Sequence, residues 1–287
     1  MTESKEQYGT WLDAANDVPQ DTVEQVGPEY PFIQWVNGAP SLKRAGGVAY
    51  TGGWFMPESQ AVSDTMDGWE KGELVHGDGA STPGWFTRDL TVTVIRMRRR
   101  WIVDEVGYPW NQYNRAVIAG RPKGKLQALA LVAGWFTPTV LTMGGTASMA
   151  FQGSKRVEGV LTRFNRLVVR EANTLNSKRG NSAKFPYRAF WLTVGADRDA
   201  NGAPKFTTVG QTPNTSQVTF PIALGLKEKP EPADLSELFV GKDTLTALNA
   251  MYVEAETWAH AWDAMAPQEA PDEPAPVAPP NGEDLPF

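Results

Sequence analysis

Between positions 90 and 100 the chain reads Leu-Thr-Val-Thr-Val-Ile-Arg-Met-Arg-Arg-Arg, where apolar residues alternate with Thr and then give way to arginines, a pattern that fits an extended strand. Leu90, Val92 and Val94 share one side, and Arg96, Arg98 and Arg100 continue that same side. No strand keeps such a face buried along its whole length. Either a bulge near Ile95 switches the faces, or the strand runs out of the core into an open groove where its arginines meet solvent or a ligand. Trp101 follows at once, then Tyr108, Trp110 and Tyr113 in a short stretch that also carries Arg115. Residues 115–119 read as a further strand, 120–125 as a basic hairpin tip with Arg121, Lys123 and Lys125, and 126–132 as the returning strand.

The rest of the chain is organised around this β-rich centre. Globular character begins at the aromatic run 30–36, closed by the turn signal Asn37-Gly38. Gly-Trp-Phe occurs at 53–55, 84–86 and 134–136, each readable as a turn leading into a strand with its two rings splayed to opposite faces. The separations are unequal, so a regular repeat is not supported. Over 154–172 the period changes: Val157, Val160, Leu161, Phe164, Leu167 and Val168 fall on one helical face, Ser154 is placed to cap the start, and Arg156, Arg163, Arg166 and Arg170 lie opposite. Strand character resumes over 185–194, a polar turn spans 197–202, and 218–224 reads as a last strand. From 234 to 265 an amphipathic pattern with Leu238, Leu245, Leu248, Tyr252, Trp258 and Trp262 predicts helix packed back on the body.

Strands, one amphipathic helix and further strands predict a mainly β protein with helices, built as an elaborated OB-like barrel; a mixed sheet with helices to one side gives a similar pattern. The expected organisation is an acidic N-terminal arm (1–29), a core (30–232), a C-terminal helical segment (233–265) and a disordered Pro/Ala-rich acidic tail (266–287).

Charge is segregated along this plan. The total is −6, yet residues 1–87 carry a net −9, residues 88–206 a net +13 and residues 207–287 a net −10. A basic middle between acidic ends suits a polyanion-binding core with separate acidic interaction segments. The same basic third interleaves rings with cations: Arg98, Arg99 and Arg100 abut Trp101, Tyr108 and Trp110 precede Arg115, and Trp135 follows the basic tip. Positive charge for phosphates plus aromatic faces for bases is what a sequence-tolerant single-strand binder needs.

The chain ends Glu283-Asp284-Leu285-Pro286-Phe287, two carboxylates before an apolar Pro-Phe terminus. A partner with a basic rim and a small apolar pocket can pair the carboxylates and bury the Phe287 ring. This ending resembles the C-terminal tail of bacterial single-stranded DNA-binding proteins. The resemblance covers the five terminal residues and the character of the linker, whose Pro and Ala replace the Gly and Gln frequent in that family. It implies a divergent phage or plasmid relative that binds single-stranded DNA during replication, recombination or repair. On that reading Arg96, Arg98, Arg99, Arg100, Trp101, Tyr108, Trp110, Tyr113, Arg115, Arg121, Lys123, Lys125, Trp135, Arg156, Arg163 and Arg166 hold DNA, while Glu283 to Phe287 recruit partner enzymes. The acidic end is also expected to shield the groove until DNA displaces it.

Other chemistry finds less support. Cys is absent and only His76 and His260 are present, with no ligand spacing around either, so no metal and no cofactor is expected. Asp104 and Glu105 are adjacent and point apart on a strand, Gly144-Gly145-Thr146 lacks the Lys of a phosphate loop, and Gly153-Ser154-Lys155 has no base partner. A non-enzymatic role is the leading expectation. A nuclease with a borrowed tail and a phage assembly protein are the alternatives. The polar, acidic N-terminus and the lack of any membrane-length apolar run predict a soluble, cytoplasmic protein without membrane partners, and a homo-oligomer is compatible with it.

Overall fold

The computed structural model describes residues 30–37, 52–62, 66–75, 80–103, 106–110, 123–153, 158–211 and 214–262. The N-terminal arm, the expected strand 115–119, Ser154, Val157, Arg156, Tyr113, Arg115, Arg121 and the acidic tail lie outside them.

Twelve strands are described: β1 (Phe32–Val36), β2 (Gly53–Pro57), β3 (Glu70–Val75), β4 (Ser81–Thr87), β5 (Asp89–Val103), β6 (Val106–Pro109), β7 (Lys123–Val132), β8 (Thr139–Gly144), β9 (Leu192–Ala196), β10 (Thr207–Gln211), β11 (Asn214–Val218) and β12 (Pro221–Leu224). Ten form one mixed sheet in the order β12-β9-β5-β7-β8-β1-β2-β4-β3, with β6 paired to β5; β10 and β11 make a separate hairpin. Pairing is antiparallel except between β1 and β8. The sheet does not close into the expected barrel. Its path ends on β12 at one side and β3 at the other, and closure would require those two edges to pair. Its apolar surface is buried instead by helices laid on both faces.

On the first face α1 (Gly145–Gln152) and α2, which runs over 160–178, bury Ala147, Phe151, Val160, Leu161, Phe164, Leu167 and Val168. These meet Leu90, Val92, Val94, Leu126, Ala128, Ala130, Leu141 and Met143 from the strands, joined by Leu235 of α3 (Pro232–Leu238). On the second face Ile95, Leu129, Leu131 and Val140 pack under Val240, Leu248, Ala255, Trp258 and Ala259, carried by α4 (Lys242–Glu254), α5 (Glu256–His260) and their flanks. Because β7 is covered on both sides from Ala128 on, its sequence there is a continuous apolar run with no polar alternation.

Several local expectations are corrected. The helix expected over 154–172 begins at Val160, with Gly159 at its N-cap position and a π turn at Asn165–Val169, and continues to Lys178. Its start is set by a backbone crossing: a Cβ at Gly159 would collide with Gly153, so the chain turns over itself there. The strand expected over 185–194 is a 3-10 turn at Tyr187–Ala189 followed by β9. The tip residues Lys123 and Lys125 already belong to β7, opposite Ile102 and Arg100. The long C-terminal helix is divided into α3, α4 and α5, and it does pack back on the body.

The first two Gly-Trp-Phe triplets lie inside β2 and β4, where Phe55 faces Phe86 with ring centroids 4.7 Å apart, while Trp54 turns to the first face and donates its Nε1–H to the Val194 carbonyl at 3.0 Å. Gly84 makes this possible: a Cβ there would lie 2.5 Å from the Phe55 ring. The third triplet is a turn between β7 and β8. Among the described residues no helix is long and apolar enough to cross a membrane.

Candidate nucleic-acid interface

The face conflict in β5 is resolved by a β-bulge. Val94 pairs with Ala130 and Arg96 with Leu129, so Ile95 is the extra residue. Before it Leu90, Val92 and Val94 face α1 and α2; after it Arg96, Arg98 and Arg100 lie on the opposite face, with Ile95. Directly across on β7 stand Gln127 beside Arg98, Lys125 beside Arg100 and Lys123 beside Ile102, all on that second face. The result is a row of five cations, one every second residue on each strand, about 6.6 Å apart along it.

This row is not an open groove. The C-terminal helices cover it with rings and carbonyls. The Arg96 guanidinium sits 3.8 Å from the Tyr252 ring centroid, and Arg188 lies 4.1 Å from the same ring. Arg98 lies 4.2 Å from Trp258 and 4.4 Å from Trp262, and Arg100 4.5 Å from Trp262. Arg96 Nε donates to the Tyr252 carbonyl at 2.6 Å; Arg98 donates to the Trp258 carbonyl at 3.0 Å and to Gln127 Oε1 at 2.9 Å. Arg188 is tied to Asn249 Oδ1 at 2.7 Å. Such cation–ring contacts contribute on the order of 0.5–2 kcal/mol each, enough to offset part of the desolvation of the cations.

No carboxylate pairs with Arg96, Arg98 or Lys125 among the described residues. The titration behaviour agrees. Burial, then the neighbouring Arg100 charge, pulls the Arg98 pKa down from its usual value to about 10. Burial lowers that of Arg100, and burial followed by Arg100 and Arg98 lowers that of Lys125. At neutral pH Arg98 remains cationic. The fold therefore holds like charges together at a cost, and groups perturbed in this way cluster at functional sites.

On the first face of the same hairpin, Arg99 and Trp101 both meet the Trp110 ring: Trp101 is parallel to it at 4.0 Å and 7°, and Arg99 lies 4.6 Å from its centroid. Trp101 also donates its Nε1–H to the Trp110 carbonyl at 3.2 Å, and Tyr108 is its strand partner. These four sequence-expected residues are thus brought together, behind the cation row.

The remaining expected residues stand elsewhere. Trp135 lies in the turn that follows β7, past the far end of a strand that runs more than ~20 Å from Lys125 to Val132; it stacks on Trp69 at 6.1 Å beside an almost fully exposed Phe136. Arg163 and Arg166 project from α2 and are neutralised. Glu228 takes Arg163 at 2.6 Å and Arg166 at 3.3 Å, and Glu158 holds Arg166 by two bonds of 2.7 and 3.0 Å. The hydrogen bond to Glu158 chiefly raises the Arg166 pKa.

Sequence reasoning assigned Tyr252, Trp258 and Trp262 to helix packing alone and passed over Arg188 and Gln127. The four-residue spacing of Trp258 and Trp262, which sets both rings on one helical face, was the available signal. Comparison of the chain with protein-family models, curated proteins and solved structures returns no match in any of the three.

Proposed function

We propose that this protein is a non-enzymatic binder of single-stranded DNA that holds the strand on the cation row of β5 and β7 and recruits replication, recombination or repair enzymes through Glu283 to Phe287. The observation that carries the reading is the row itself: Arg96, Arg98 and Lys125 lack any carboxylate among the described residues, and burial depresses the pKa of Arg98 and Lys125. A like-charged row at this pitch is matched by the phosphates of an extended nucleic-acid strand. Lys123, exposed at the end of the row, offers the first contact. Trp101 and Trp110 supply ring faces on the other side of the same hairpin. In this reading an open sheet end serves as the strand-binding surface that OB-like proteins build on a barrel. The setting is the cytoplasm of a bacterial or phage-infected cell, and no cofactor is involved.

The test is titration of a labelled single-stranded oligonucleotide at two salt concentrations, with duplex DNA and RNA in parallel. Tryptophan quenching and a steep loss of affinity with salt are expected for the single strand. Absence of binding at low salt overturns the proposal.

A further inference from the structure

The row has a continuation at its Arg96 end. Arg96 and Arg188 share the Tyr252 ring, at 3.8 and 4.1 Å, so positive charge passes from β5 to the 3-10 turn at Tyr187–Ala189, which lies against that strand. Tyr187 keeps an exposed ring face; partial burial raises its pKa and the Arg170 charge on α2 opposes the rise, which puts Arg170 next in line. From Arg170 to Arg188 the sequence holds five cations, Arg170, Lys178, Arg179, Lys184 and Arg188, against the single carboxylate of Glu171. Lys178, Arg179 and Lys184 are exposed, and none of them forms an ion pair among the described residues.

The loop that carries these cations is fixed in place. Gly180, at φ 82°, reverses the chain; Asn176 donates to the Ala183 carbonyl at 2.7 Å, and Asn173 accepts from the Phe185 amide at 2.7 Å and donates to its carbonyl at 3.2 Å. The carbonyls of Leu175, Asn176 and Ser177 at the end of α2 are taken by the backbone amides of Arg179, Gly180 and Asn181. No basic side chain is therefore needed to close the helix. Beside the loop is a surface concavity lined by Asn173, Thr174, Ser177 and Lys178, where the Ser177 hydroxyl and the Lys178 ammonium can each donate to a phosphate oxygen.

We propose that Arg188, Tyr187, Arg170 and the loop cations Lys184, Lys178 and Arg179 form a second phosphate-binding stretch, which takes the single strand as it leaves the Arg96 end of the row. The inference rests on the function proposed above. Arg170 and Lys178 stand about 12 Å apart along α2, so the stretch adds roughly two phosphates at the ~6.6 Å pitch of the row. The Tyr187 ring offers a face to a base between them. The row is half-buried under rings, whereas the loop, like Lys123 at the other end, is reached directly from solvent.

Lysine acylation of the full chain, read by mass spectrometry with and without a saturating oligothymidylate of about sixteen nucleotides at low salt, tests this. Lys178 and Lys184 are expected to react freely in the unbound protein and several-fold more slowly in the complex. Lys229, which follows Glu228 at the opposite end of α2, is expected to react alike in both. The triple replacement Lys178→Ala, Arg179→Ala, Lys184→Ala does not touch the hydrogen bonds of Asn173 and Asn176. It is expected to lower affinity about fivefold and to flatten the salt dependence by roughly 1.4 in log–log slope, as two phosphate contacts are lost. If the oligonucleotide binds, and either the two lysines react equally in the complex or the triple variant keeps the wild-type slope, the inference is overturned and the proposed function stands. Shielding of both lysines already in the unbound protein means that acidic residues of the chain itself occupy the loop, and it overturns the inference as well. If the wild type does not bind at low salt, both fall.

Discussion

The molecule carries two groups of arginines that look alike in sequence and differ in every physical respect. Arg163 and Arg166 on α2 are solvated and held by Glu158 and Glu228. Arg98 and Arg100 on β5 are half-buried, lie beside each other and Lys125, and are met by tryptophan rings and, at Arg98, by a carbonyl. An exposed ion pair contributes little to stability and neutralises its own field. Arg98 and Lys125, partly desolvated and without a carboxylate among the described residues, are not neutralised in that way. What stands opposite a basic residue therefore decides whether it can bind a polyanion, and the number of basic residues does not.

The largest effect that can break this contrast comes from double replacement. Arg98→Ala with Arg100→Ala is expected to weaken single-strand affinity by about tenfold or more and to flatten the salt dependence by roughly 1.4 in log–log slope, as two phosphate contacts disappear. Arg163→Ala with Arg166→Ala is expected to change affinity by less than about twofold, since those charges are already matched. Fluorescence anisotropy across a salt series measures both. Equal losses from the two pairs would erase the distinction.

A smaller effect follows from pH. The Arg98 pKa is drawn down to about 10 and that of Lys125 is lowered, so raising pH from neutrality toward that value removes positive charge from the strand row first. Single-strand affinity should fall over this interval by several-fold, whereas Arg166, whose pKa is raised, keeps its charge. Stability moves the other way. The unfolded chain binds the proton more tightly than the folded one, so the cost of holding Arg98 charged is present below about 10 and is relieved as pH rises through it. Anisotropy with oligodeoxyadenylate, whose bases do not lose a proton there, checks the first half, and denaturant midpoints check the second. Lys125→Met should reduce the alkaline loss of affinity.

The sequence exposed some of this plainly. A period of two leaves no slack, so the conflict between Leu90, Val92, Val94 and Arg96, Arg98, Arg100 had to end in a bulge or an exit, and the bulge at Ile95 is what the fold uses. The apolar face from Val160 to Val168 and the return of the C-terminal segment to the body were also readable from spacing. Sheet closure was not. It depends on which edges meet, and the pairing of β1 with β8 joins residues more than a hundred positions apart with no local signature. α1 escaped because its eight residues are mostly small and bury only Ala147, Ser148 and Phe151. The two arginine groups could not be told apart for a related reason. Glu228, which neutralises α2, lies 65 positions from Arg163, and Trp258, which covers β5, lies 160 positions from Arg98. Periodicity places residues on a face and is silent about what the fold lays over that face.

The smallest expected effect is the sharpest test of that lesson. If Arg163 and Arg166 are inert toward nucleic acid because Glu158 and Glu228 occupy them, then removing those charges should create a weak further basic surface without touching the strand row. Glu158→Gln with Glu228→Gln keeps the side-chain shapes and frees Arg163 and Arg166. Single-strand affinity at low salt should rise by about twofold, with a slightly steeper salt dependence, because two more cations become available for counterion release. The gain should survive in the Arg98→Ala, Arg100→Ala background, where it adds to a weak remainder independently of the row. An increase seen only with the strand row intact would mean that Arg163 and Arg166 contribute to the same binding path, and the two arginine groups would then be parts of one surface.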